Sequence, residues 1–104
     1  MAIQEITVEE LAHLLDDGVR LVDVREPDEW RAVRVPGAVL VPLATVPDQL
    51  EEFPEGETTY VICRSGARSM RACEYAAARG RKAVNVAGGT LAWIESGRAV
   101  DTEA

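Results

Sequence analysis

No run of apolar residues in this chain of 104 approaches the roughly 20 that a helix needs to cross a bilayer, so a spanning helix is excluded. The first residues, Met1 to Glu5, lack the basic segment and apolar stretch of a secretory signal, and the expected compartment is the cytoplasm. Cysteine is scarce. Cys63 and Cys73 alone make no disulfide framework, and with a single His they leave no zinc-binding spacing, so no metal or other cofactor is expected. What remains for them is thiol chemistry or packing. Aromatic residues are few, two Trp, two Tyr and one Phe, which makes Trp30 and Trp93 packing anchors before they are ligand platforms. An excess of positive charge is also missing: the formal net charge of -7 disfavours nucleic acid and anionic membrane surfaces as partners.

The hydrophobic share of 47% and charged share of 28% are those of an ordinary globular chain. Its length suits one domain, with the core expected over about 4–96 and a fraying tail over 97–104. Thr7 followed by Glu10 has the form of a capping box. Val8, Leu11, Leu14 and Leu15 then recur at helical spacing until Asp16-Asp17-Gly18. His13 lies off that apolar face and reads as a solvated side chain. Short strands are expected at Ile3–Ile6, Arg20–Val24, Ala38–Val41, Thr58–Ile62 and Ala83–Val86. Between them fall a helix start at Glu26–Trp30, a weak helix at 47–53, a helix over 69–79 ending at Gly80, and a closing helix over 90–96. Strands alternating with helices predict an α/β fold with a central, mostly parallel five-stranded sheet covered on both faces. Ligands in such folds sit at the C-terminal ends of strands.

Cys63-Arg64-Ser65-Gly66-Ala67-Arg68-Ser69 falls at such an end, between a strand and a helix. A thiol there gains thiolate character from the helix dipole and from nearby arginines. Successive backbone N–H groups can curl into an anion-binding nest, with Gly66 taking a conformation other residues resist. The charge pattern agrees: residues 63–82 hold six basic side chains and one acidic, Glu74, inside an acidic protein. Cys73 shares helical spacing with Met70 and Ala77 and reads as packing. Asp23 and Arg25, at the end of the second strand, read as supports that hold loops in place.

The loop from Cys63 to Ser69 resembles the active-site loop of single-domain rhodaneses (thiosulfate sulfurtransferases). Leu21-Val22-Asp23-Val24-Arg25-Glu26, Val35-Pro36-Gly37-Ala38 and Gly88-Gly89-Thr90-Leu91-Ala92-Trp93 resemble three further signatures in the same order. The resemblance implies a rhodanese-like domain and a sulfur-transferring enzyme with Cys63 as nucleophile. It implies a Cys63 persulfide filled by thiosulfate or a similar small anionic donor, and emptied by cyanide, a thiol or a thioredoxin-like protein. The loop residues Arg64, Ser65, Gly66, Ala67, Arg68 and Ser69 would bind the substrate, with Arg64 and Arg68 on the donor's oxygens. Before the Pro36-Gly37 turn rhodaneses commonly carry Gly-His, where this chain has Val33-Arg34, and Arg34 is expected to be an exposed side chain.

Two rivals stand beside this reading. A cysteine phosphatase or arsenate reductase also cradles an oxyanion with a Cys-to-Arg loop, but uses a longer one than the four residues separating Cys63 from Arg68. A non-catalytic binding module would be expected to have lost the nucleophile.

Overall fold

The computed structural model describes residues 2–103. The chain runs β1 (Glu5–Ile6), α1 (Val8–Asp16), β2 (Arg20–Asp23), α2 (Pro27–Ala32), β3 (Val39–Leu40), β4 (Thr58–Ile62), α3 (Ala67–Ala77), β5 (Lys82–Val86) and α4 (Gly89–Glu95). The five strands form one parallel sheet in the order β1-β5-β4-β2-β3, so the α/β expectation holds and β4 is central.

Alternation along the buried strands divides the core between the two faces of the sheet. Leu21 and Ile62 point into one cluster with Val8 and Leu11 of α1 and Trp93 of α4. Val22 and Val61 point into the other, with Phe53 and with Ala72, Cys73 and Ala76 of α3. At the start of α1 the capping box forms as read: Glu10 N donates to Thr7 Oγ1 (3.1 Å) and Thr7 N donates to Glu10 Oε1 (3.1 Å).

Three local expectations change. Residues 47–53 do not form an α-helix. The segment makes two 3₁₀ turns, Leu43–Asp48 and Leu50–Glu52, and Pro47 lies inside the first, where it supplies no amide for an α-helical ladder. The described part of the expected tail, residues 97–103, is tied to the domain, and position 104 lies outside the described residues. Arg34 and Asp101 exchange both backbone hydrogen bonds (2.9 and 3.0 Å), and Trp93 Nε1 donates to the Ala99 carbonyl (2.9 Å). Arg34 is not exposed either: half-buried, its guanidinium lies 4.1 Å over the Trp30 ring and donates to the Trp30 carbonyl (3.1 Å).

Candidate active site

β4 delivers Cys63 to the C-terminal edge of the sheet, where Val24 N donates to Ile62 O (3.0 Å) and ties the ends of β2 and β4 together. The chain then turns through Gly66 at φ +115° and enters α3 at Ala67, so Arg68 and Ser69 belong to the first helical turn. That turn aims its free amides back at the sulfur. Gly66 N donates to Cys63 Sγ (3.1 Å), and the Ser69 hydroxyl stands 3.3 Å from the same atom. Burial alone would push the Cys63 thiol up. The Ser69 hydroxyl and the backbone amides of Ser69, Gly66 and Ser65 outweigh it and hold the thiol below its ordinary value. Cys63 is only 1% exposed, so its sulfur forms the floor of the loop rather than its rim.

The loop is fastened from behind by residues that were not singled out as site residues from sequence. Thr90 donates to the Cys63 carbonyl twice, from N (2.9 Å) and Oγ1 (3.0 Å), and Leu91 N donates to the Arg64 carbonyl (3.1 Å). Gly89 makes this docking possible. A Cβ on it would stand 2.5 Å from the Cys63 carbonyl oxygen and 2.6 Å from that of Arg64. Asn85 Nδ2, at the buried end of β5, donates to the Gly66 carbonyl (3.2 Å) and to Glu5 Oε2 (2.8 Å). A polar residue in an otherwise apolar strand end, Val84-Asn85-Val86, was the available signal for that clamp.

The basic residues divide by task. Arg25 lies buried with Asp23: its Nε and Nη2 donate to the carboxylate at 2.8–3.0 Å, and Nη2 also donates to the Val33 carbonyl (2.7 Å). This pair joins the end of β2 to the end of α2. Arg68 is paired outside the loop. Rather than standing free for a donor, it makes a two-pronged ion pair with Glu29 of α2, Nη1 to Oε1 at 2.7 Å and Nη2 to Oε2 at 2.9 Å. The pair lowers the Glu29 carboxyl to about 2. Arg64 is exposed and has no ion pair or side-chain hydrogen bond among the described residues. It lines a cleft of about 190 Å³ with Arg25, Glu29, Thr90, Leu91 and Ile94. Cys63 itself is not among the residues lining that cleft, nor those lining larger hollows of about 400 and 560 Å³ elsewhere.

Cys73 is fully buried, and burial pushes its thiol up to about 12, which suits packing. His13 is exposed, as read. No group of three or more His, Cys, Asp and Glu suited to a metal ion occurs among the described residues.

The rhodanese-like domain profile matches residues 7–96. The chain belongs to the rhodanese-like family. A putative sulfurtransferase, YtwF, of Bacillus subtilis is 38% identical over 95 residues, covering 89% of this chain and 92% of the relative. A sulfurtransferase of Allochromatium vinosum is 37% identical over 98 residues, covering 91% and 92%. The crystal structure of a rhodanese-like domain protein from Staphylococcus aureus superposes with a TM-score of 0.88 at 38% identity, covering 98% of this rhodanese-like chain and all of that one. Membership and these relatives support sulfur transfer as the general activity.

Proposed function

We propose that this protein moves a sulfane sulfur through a persulfide on Cys63. The Cys63 thiolate attacks the outer sulfur of thiosulfate or a similar donor. The donor's S–S bond breaks, its electron pair leaves with sulfite, and the Cys63 sulfur carries the outer sulfur as an anionic persulfide. A thiophilic acceptor then attacks that sulfur and restores the thiolate: cyanide gives thiocyanate, and a thiol or a thioredoxin-like protein takes the sulfur in turn. One observation supports this most: an ionisable sulfur held under converging amides and a hydroxyl at the start of a helix. Arg64, Ser65, Gly66, Ala67, Arg68 and Ser69 form the substrate loop, while Asp23 and Arg25 support it. The unpaired thiols suit the reducing cytoplasm, and no described helix is long and apolar enough to cross a membrane.

Incubation with thiosulfate and cyanide, beside a separate incubation with an aryl phosphate, tests the reading. Thiocyanate without phenol release is the expected result, and phenol without thiocyanate would favour an oxyanion hydrolase.

A further inference from the structure

Resting on that reading, we propose that Glu29 sets donor choice: by occupying Arg68 it biases the site toward organic persulfides carrying a carboxylate and against the thiosulfate dianion. Three guanidinium groups surround the loop, and the structure commits two of them. Arg25 is neutralised inside the fold by Asp23, and Arg68 by Glu29 in a two-pronged pair. Glu29 is fastened independently, because Glu26 N also donates to its Oε1 (2.9 Å). Of these three, only Arg64 lacks a charged partner among the described residues, so the loop presents one uncommitted guanidinium.

Thiosulfate brings two negative charges to a sulfur that is itself anionic, past the ionised Glu29 carboxylate. One guanidinium compensates such a donor poorly. The cleft beside the loop that Arg64 and Glu29 line also has apolar residues in its lining. Leu91 and Ile94 are 40% and 43% exposed there, and Ala32 and Val33 join them. One cation beside apolar residues matches a donor whose sulfur is held on carbon, with a carboxylate for Arg64 and a hydrocarbon body for Leu91 and Ile94. In the transfer the Cys63 thiolate attacks the terminal sulfur of R–S–SH. The S–S bond breaks, R–S⁻ leaves with the electron pair, and the proton stays on the new Cys63 persulfide.

The test compares kcat/KM for N-acetylcysteine persulfide and thiosulfate, with cyanide as common acceptor, in the wild type, Glu29→Gln and Glu29→Gln/Arg68→Gln. In the wild type the persulfide should be preferred by about tenfold or more. Glu29→Gln should narrow that ratio at least about fivefold by raising the thiosulfate value, and the double variant should lose the gain because no guanidinium is freed. A wild type that uses thiosulfate as well as the organic persulfide would overturn the proposal whatever the variants do, as would an unchanged ratio in Glu29→Gln. Loading of Cys63 by neither donor would instead remove the sulfur-transfer reading beneath it.

Discussion

The Ser69 hydroxyl has one proton and two acceptors in reach, Cys63 Sγ at 3.3 Å and the Gly66 carbonyl at 3.2 Å. When the sulfur is anionic, the charged acceptor wins the proton, and the hydroxyl stabilises the thiolate more than the thiol. Ser69→Ala should therefore raise the Cys63 pKa, because one of the groups that hold the thiolate is lost. A thiol that ionises later is less reactive at neutral pH, so the alkylation profile should shift to higher pH and the rate at pH 7 should fall up to about tenfold. Iodoacetamide kinetics across pH would measure this, and an unmoved profile would assign the lowering to the amides alone. This residue pair was half legible: Cys63 and Ser69 lie in one local segment, and the helix was read from Ser69, two residues after α3 begins at Ala67. Glu29 could not be found that way. It stands 39 residues from Arg68, and nothing in Asp28-Glu29-Trp30 distinguishes a partner from a solvated acid.

At the scale of elements, α4 acts as the back wall of the loop, and its glycine decides how closely it docks. Gly89 sits at φ +58°, and an alanine there would add both backbone strain and a clash with the Cys63 and Arg64 carbonyls. Gly89→Ala should cost about 2 to 4 kcal/mol in stability and slow Cys63 alkylation in the protein that remains folded. Denaturant titration beside alkylation kinetics checks it, and an unchanged midpoint with unchanged reactivity would show the docking to be unimportant. The strands and α1 were legible because their signals are local: short β-branched apolar runs around Leu21-Val22 and Val61-Ile62, and a cap at Thr7. The segment around Pro47 was misread because a proline in a short run admits 3₁₀ geometry as readily as an α-helical first turn.

Across the whole molecule, a parallel sheet with β4 at its centre places one thiol at the C-terminal edge between the ends of β2, α2 and α4. Contacts that close this arrangement span the chain. Asn85 reaches Glu5 across 80 positions, and Asp101 pairs with Arg34 to seat the tail. Such pairings depend on how elements stack, which is why the tail read as loose although its backbone bonds are made. The acidic surface fits the same picture: a net charge of -7 surrounds a site whose basic side chains are mostly spent internally. The most direct measurement is the intact mass of the purified protein after exposure to a sulfane donor and removal of excess reagent. The account predicts a gain of one sulfur atom that maps to Cys63, disappears on addition of cyanide, and is absent from Cys63→Ser. A protein that gains no sulfur, or carries it on Cys73, would contradict it.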